Sequence, residues 1–364
     1  MKAAVFDGHK LSIEELMKPK PMKDEVLIKV AACGVCHTDL HVIEGDVSFP
    51  TPAVLGHEIS GTVEEVGSDV KSLRKGDRVV SPFIIPCGYC RFCKQGLDDM
   101  CENFFKLNRL QGKLYDGNTR LFRTDGSPVW MYSMGGLAEY AVVPSTSVFR
   151  LPESLDLETA CILGCAVFTA YGAVVNQAEL KQGEKVAVIA VGGVGMNILQ
   201  ICKHMGASEI IAVDVSDEKL LKARELGATY TINSSKTRTV DEILSITKGE
   251  GVDVAFEALG RPETIQIGFN VVRDGGKVVV VGIAGSKKTV ELDITRLVRR
   301  GIRVLGSYGA RTRRDMPEVI RLAEEGKINL VGTISKRYNL EQVAEAYSDL
   351  KQGKIIGRAI TVMS

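Results

Sequence analysis

Between residues 25 and 145, short apolar runs of β type, "EVLIKVAACG", "ISGTVEEVG", "DRVVSPFI" and "AEYAVVP", alternate with clusters of glycine and proline. Runs this short, with turn residues between them, predict a compact, barrel-like β-domain whose loops carry the polar chemistry. From about residue 167 the rhythm changes. "KVAVIA", "EIIAVD", "DVAFEAL", "GKVVVVGI" and "IRVLGS" read as buried parallel strands, and "SDEKLLKARELGA" and "TVDEILSIT" between them have helix spacing behind polar starts. Alternating strand and helix predicts an α/β fold with a parallel sheet. The tail reads as two helices, "DMPEVIRLAEEGKI" and "NLEQVAEAYSDLKQGK", separated by "NLVGTISKRY". A chain of 364 residues exceeds the size at which one core stops growing, so two domains are expected.

Composition narrows the function classes. With 45% hydrophobic and 25% charged residues and a net charge of +1, neither nucleic acid nor an anionic membrane is expected as the main partner. The start "MKAAVFDGHKLSIEELMK" has no apolar core of a signal peptide. The stretch "VAVIAVGGVGMNILQIC" is broken by glycines, Asn197 and Gln200 and falls short of the roughly 20 residues a membrane span needs. A soluble cytoplasmic protein is the expectation.

"KVAVIAVGGVGMNILQICKHMGASEIIAVDVSDEKL" is a strand, a glycine turn, a helix and a second strand ending in Asp214. That is the spacing of a βαβ dinucleotide site, with pyrophosphate over the helix N-terminus and the acid on a ribose diol. The G-x-G-x-x-G pattern reads here as Ala190, Gly192 and Gly195, with Gly193 added. An alanine can serve in the first position if the turn residue keeps φ negative. Asp214 is followed by Val215 and Ser216, with no arginine to receive a 2′-phosphate, which favours NAD over NADP.

Nine cysteines in a large chain without an export signal suit metal ligation better than disulfides. "CGYCRFCKQGLDDMC" spaces Cys87, Cys90, Cys93 and Cys101 for a closed tetrahedral zinc that would pin a loop of low apolar content. An iron–sulfur cluster is the competing reading, but the run lacks the x3-C-P continuation and a second cluster set. A second set is dispersed over "CGVCHTDLH", "LGHEISGTVEEVG" and "LGCAVFTAYGA". Cysteine and histidine from distant segments fit a catalytic zinc with an open fourth position. The spacing alone does not say whether Cys33 or Cys36 reaches the ion. Cys33, Cys161 and Cys202 otherwise read as small buried residues.

Together these motifs resemble the zinc-dependent medium-chain alcohol dehydrogenases. "GHEISGTVEEVGSDV", Gly56 to Val70, fits the family's zinc signature, and the four-cysteine loop, glycine turn and closing "GKIIGRAI" follow in the family's order. The resemblance implies a β-rich GroES-like catalytic domain (1–166 and 307–364) and a doubly wound Rossmann domain binding NAD (167–306). It implies two zinc ions per chain. Cys36, His57 and Cys165 would hold the catalytic zinc, Asp39 would orient His57, and Glu58 would stand behind the metal. Thr38 would accept the alcohol's proton and His41 would pass it to solvent through the cofactor ribose. His37 and Arg358 would contact the pyrophosphate, Thr169 and Val194 the nicotinamide, Asp214 and Lys219 the adenosine ribose. Hydride would pass from a zinc-bound alkoxide to NAD.

Within the family, Cys165 as third ligand favours simple alcohols over polyols. Formaldehyde-adduct enzymes carry an acid at the position of Val47 and an arginine at that of Phe105; both are absent, although another thiol or a hydroxyacyl-CoA substrate remains an alternative. Val47 and Phe83, with Trp130, would make an apolar pocket for primary aliphatic or aromatic alcohols. A non-catalytic zinc and NAD module is the remote alternative, and intact Cys36, His57, Cys165 and Thr38 speak against it. The run "GARTRRD" either binds an anionic substrate or is a solvated basic loop. The length of the segment from Phe104 to Gly136 suggests a homodimer, with a tetramer second, its interface formed by "GKVVVVGI" and the region after it.

Overall fold

Eleven residues, Glu25–Val35, form the strand on which the first part of the chain is built. In the computed structural model, which describes residues 1–284 and 288–363, this strand pairs antiparallel with Ile59–Val66, Tyr140–Pro144 and Arg358–Val362. Its burial is nearly continuous, because neighbours flank both edges. The sheet extends from Ile59–Val66 through Arg78–Ser81 to Phe149–Arg150, and from Arg358–Val362 to Ile334–Asn339. A second, five-stranded sheet holds Lys2–Phe6 and Leu11–Glu15 together with three short strands. Two of those, Leu121–Phe122 and Pro128–Met131, lie in the long segment after Phe104. These elements belong to a unit of Met1–Phe168, Arg311–Glu324 and Ile334–Ser364.

The other unit, Thr169–Ala310 with Glu325–Thr333, is built on six parallel strands. Their order is Tyr230–Asn233, Glu209–Asp214, Lys185–Ile189, Val252–Glu257, Val272–Val280 and Arg303–Gly306. The five apolar runs read from the sequence are the inner strands and one edge. Tyr230–Asn233, the other edge, escaped notice because it is short and its Tyr230 is exposed. Ala187, Ile189, Ile211, Val213, Ala255 and Val278 form the core of this sheet with Phe269 and Ile243 from its helices. The proposed interface region after "GKVVVVGI" includes residues 285–287, which lie outside the described residues.

Several expectations change. The boundaries expected at 166/167 and 306/307 fall at 168/169 and 310/311, and Glu325–Thr333 groups with the parallel sheet. Buried Gln200 explains the latter: its Nε2 donates to Thr333 Oγ1 at 3.2 Å and its Oε1 accepts from Asn329 N at 2.7 Å. "NLVGTISKRY" contains one helical turn, Leu330–Thr333, and the strand Ile334–Asn339, whose sparse apolar residues gave no strand signal. A longer apolar helical segment than the glycine-broken stretch also exists. Thr159–Gln177 is a 19-residue helical segment long and apolar enough to cross a membrane, but 83% of its most apolar window is buried in the fold, as in a core helix.

Ala190 reverses its expectation: φ is +71°, in the left-handed region. The turn after Lys185–Ile189 needs that conformation. It aims the Ala190 carbonyl at Gly195, where an added Cβ would come within 2.1 Å of the carbonyl oxygen. Left-handed backbone costs an alanine about 1–2 kcal/mol, and glycine's extra chain entropy returns roughly 0.5–1 kcal/mol of that. Ala190→Gly is therefore expected to leave stability unchanged or raise it by up to about 1 kcal/mol. Gly195→Ala should lose about 1–3 kcal/mol by overpacking. Thermal unfolding of both variants checks the pair, and a stable Gly195→Ala protein would refute this reading of the turn.

Candidate active site

Strand register gathers the first set of residues. Cys33 stands opposite Ile59, and Val35 opposite Ala359, in antiparallel pairs. The chain just beyond Val35, just before Ile59 and just before Ala359 therefore meets at one end of the sheet. Those positions are Cys36, His57 with Glu58, and Arg358. Cys165 arrives from the end of the helical turn Thr159–Gly164, whose Gly164 carbonyl accepts from Phe83 N at 3.0 Å. Only glycine fits there, since a Cβ on Gly164 would lie 2.5 Å from the Ser81 carbonyl oxygen.

The sulfurs of Cys36 and Cys165, a ring nitrogen of His57 and a carboxylate oxygen of Glu58 lie within 4.8 Å of one another, all in buried residues. Asp39 fixes the imidazole: its Oδ1 is 3.0 Å from His57 Nδ1 and accepts from Gly56 N at 3.0 Å. This puts the proton on Nδ1 and leaves a lone pair on Nε2. His57 Nε2 is buried and has no hydrogen-bond partner among the described residues. Burial holds the His57 imidazolium down, but the Asp39 carboxylate and the Cys36 sulfur push it up to about 10. The electrostatics thus call for positive charge at this point. The hydrogen bond shared with Cys165 holds the Cys36 thiol well below its usual range, helped by Arg358 and His57. Two sulfurs and one imidazole around a cation-seeking point are the donor set of a catalytic zinc.

Glu58 is fully buried and ion-paired with Arg358. Burial pushes its carboxyl up to about 7 against the pull of Arg358. Arg358, expected on a cofactor pyrophosphate, thus spends part of its guanidinium on Glu58, while its Nε has no hydrogen-bond partner among the described residues.

Thr38 and His41 lie one turn apart on the helix His37–Ile43. Thr38 Oγ1 is 3.5 Å from Cys36 Sγ. His41 is 25% exposed and sets Nδ1 3.0 Å from Asp46 Oδ2, a carboxylate the sequence did not single out. His37 is exposed at the start of the helix. Phe83 packs edge-on against His57, with ring centroids 5.9 Å apart, and against Phe168. Tyr132 and Phe49 extend this aromatic wall, Tyr132 lying 6.2 Å from the His57 ring. Neither was read from the sequence, since nothing in spacing marks an aromatic that approaches a metal through folding. Val47 is half-buried, its N–H donating to His41 O at 3.0 Å. Trp130 is half-buried beside Lys113.

The sulfurs of Cys87, Cys90, Cys93 and Cys101 also lie within 4.8 Å of one another. Zinc–sulfur bonds of about 2.3 Å imply sulfur–sulfur edges of roughly 3.8 Å; Cys87 Sγ and Cys93 Sγ are 4.0 Å apart. Backbone N–H groups of Cys87, Cys90, Cys93 and Phe104 and the Asn103 amide point at these sulfurs, as thiolates require. Neither reading of "GARTRRD" holds for Arg313. Its Nε donates to buried Asp98 at 3.0 Å and its Nη2 to Cys93 O at 2.5 Å, so it fastens the four-cysteine loop.

On the parallel sheet, Asp214 ends its strand with Oδ2 accepting from Val191 N at 3.0 Å and Oδ1 from Ser216 N at 3.1 Å. Each oxygen keeps a lone pair for a further donor. The helix Gly193–His204 opens without a side-chain cap, and a Cβ on Gly192 would meet nothing within 4 Å. Free N–H groups beside open space suit a pyrophosphate. Gly193 and Val194 are half-buried in its first turn, Lys219 is half-buried in the next helix, and Thr169 is buried.

Residues 22–153 match the alcohol dehydrogenase GroES-like domain and residues 193–325 the zinc-binding dehydrogenase family. An NDMA-dependent alcohol dehydrogenase of Amycolatopsis methanolica is 36% identical over 98% of this chain and 97% of its own length. The S-(hydroxymethyl)glutathione dehydrogenase of Komagataella pastoris is 34% identical over 98% and 95%. The crystal structure of benzyl alcohol dehydrogenase from Acinetobacter calcoaceticus superposes with a TM-score of 0.93 at 32% identity, covering 100% of this chain and 99% of that one. Likeness in both matched domains and along the whole length makes this chain a member of the zinc-dependent medium-chain alcohol dehydrogenase family, an oxidoreductase with a small-molecule alcohol substrate.

Proposed function

We propose that the protein is an NAD-linked, two-zinc dehydrogenase that oxidises primary aliphatic or aromatic alcohols reversibly to aldehydes. The observation that carries this is the His57 ring: Nδ1 is held by Asp39, and Nε2 is buried, unpartnered and beside two cysteine sulfurs. Cys36, His57 and Cys165 would hold one zinc, and Cys87, Cys90, Cys93 and Cys101 the other. Bound zinc would act as Lewis acid on the alcohol oxygen, and bound nicotinamide would accept the hydride. Thr38 takes the alcohol's proton at Oγ1. His41, with Nδ1 engaged by Asp46, releases a proton to water from Nε2. Phe83 supplies an apolar wall beside His57, and Val47 would extend it. Thr169 and Val194 would line the nicotinamide, His37 and Arg358 the pyrophosphate, Gly192, Gly193 and Gly195 the phosphate turn, and Asp214 and Lys219 the ribose. All nine cysteines are free thiols, and six are required as ligands, which fits a reducing compartment such as the cytoplasm.

The experiment is reduced-nicotinamide absorbance with a panel of primary alcohols, S-(hydroxymethyl)glutathione and hydroxyacyl-CoA compounds, compared by kcat/KM. The glutathione relative favours the adduct as second reading, and fastest turnover of that compound would replace the simple-alcohol proposal. Cys36→Ser should abolish turnover while metal analysis still finds the four-cysteine zinc; activity surviving that change would remove Cys36 from the metal. Replacing NAD with NADP should slow turnover at low cofactor concentration, because Asp214 would face the added phosphate. Faster turnover with NADP would overturn the role given to Asp214.

A homodimer is the proposed assembly, with a tetramer second. Arg303–Gly306 is an edge strand with Val304 39% exposed, and Ile294 and Val298, one turn apart on the helix Ile294–Arg299, are 74% and 71% exposed. An open strand edge beside an apolar helix face is a surface a second copy would cover. Val298→Glu should convert a two-chain sedimenting species at micromolar concentration into single chains. A wild-type protein that sediments as one chain would dispose of both assemblies.

A further inference from the structure

We propose that Tyr347 is a positioning residue for the catalytic metal, acting through Asp39 on the ligand imidazole of His57. The inference rests on the reading that His57 is a metal ligand. Asp39 is fully buried, and its two carboxylate oxygens face different groups. Oδ1 takes the His57 Nδ1–H and the Gly56 N–H, both at 3.0 Å, while Oδ2 accepts from the Tyr347 hydroxyl at 3.1 Å. The last torsion of an aspartate is broad and has no staggered wells to fix it. A donor at each oxygen sets the carboxylate plane, and that plane aims the imidazole.

The hydroxyl is itself well placed to act as a fixed point. Tyr347 is buried on the helix Val343–Lys351, and that helix is pinned independently of Asp39. Asp349 on the same helix accepts from Lys336 Nζ at 2.7 Å and from the Tyr338 hydroxyl at 2.8 Å. Lys351 Nζ reaches Glu44 Oε1 at 2.8 Å, just past the end of the helix that carries Asp39. Burial raises the Tyr347 phenol well above its usual range, so it remains a donor. No motif marks this tyrosine, which lies 308 residues from Asp39 in the chain.

Tyr347→Phe keeps the ring and removes only the donor. The test is zinc release from the holoenzyme to a colorimetric chelator, with a cobalt-substituted sample read by its visible absorption bands. Wild type should release the catalytic ion and the four-thiolate ion in separate phases. In Tyr347→Phe the first phase should quicken by about tenfold, the lower end of what loss of an outer-shell partner does to metal affinity. The second phase should not change, and the cobalt bands should shift. Tyr338→Phe is the control, because it removes a hydroxyl anchoring the same helix without touching Asp39. It should lower the melting temperature and leave the first phase alone. Release from Tyr347→Phe at the wild-type rate, or equal acceleration by Tyr338→Phe, would reduce Tyr347 to packing. A wild-type protein with only the four-thiolate phase would sink the metal reading itself, and this inference with it.

Discussion

Three antiparallel strands, Ile59–Val66, Glu25–Val35 and Arg358–Val362, share one register, and the candidate metal site exists because of it. Side chains alternate faces along a strand, so a slip of one residue would turn every neighbour of the site to the opposite side. The slip is opposed by burial: Val26, Leu27, Ile28, Val30 and Ala32 are all buried on the central strand. Cys36, His57, Glu58 and Arg358 inherit their proximity from that packing, without any loop having to find them.

Concentrating these groups creates a charge problem. Asp39, Glu58 and the two cysteine sulfurs are buried acids or potential anions, and among the described residues Arg358 is the permanent cation set against them. Left alone, such a cluster would keep protons on its weakest acids, which is what the raised Glu58 and Cys165 represent. A divalent ion supplies the missing positive charge without using His57 Nε2 for a proton. Metal affinity and the stability of this end of the sheet are therefore one quantity viewed from two sides.

Much of this was legible beforehand, for identifiable reasons. The four-cysteine loop stood out because its spacing suits local chelation, the dispersed set of Cys36, His57 and Cys165 came from the family resemblance, and parallel strands announce themselves as unbroken apolar runs. What was not legible depends on distant contacts. Tyr347, Tyr132 and the tie from Arg313 to Asp98 join segments that carry no shared pattern. Ala190 failed for another reason: residue type gives a preference for negative φ, and the closure of the turn onto Gly195 overrides it. The strand Ile334–Asn339 was hidden because half of its residues are polar and exposed.

The bond from Arg313 to Cys93 O joins positions 220 residues apart. The four cysteines themselves lie within a short span of chain, so a metal can close that loop at little entropic cost before the rest exists. On a ribosome, their loop emerges long before the helix Thr312–Glu324 that will anchor it. The other centre offers no such head start, since Arg358 follows Glu58 by 300 residues and Tyr347 follows Asp39 by 308. If each set takes a zinc as proposed, the four-cysteine loop can close on its ion early and the other set only after Arg358 has emerged, so a cell short of the metal would starve the two sites at different moments of the protein's life.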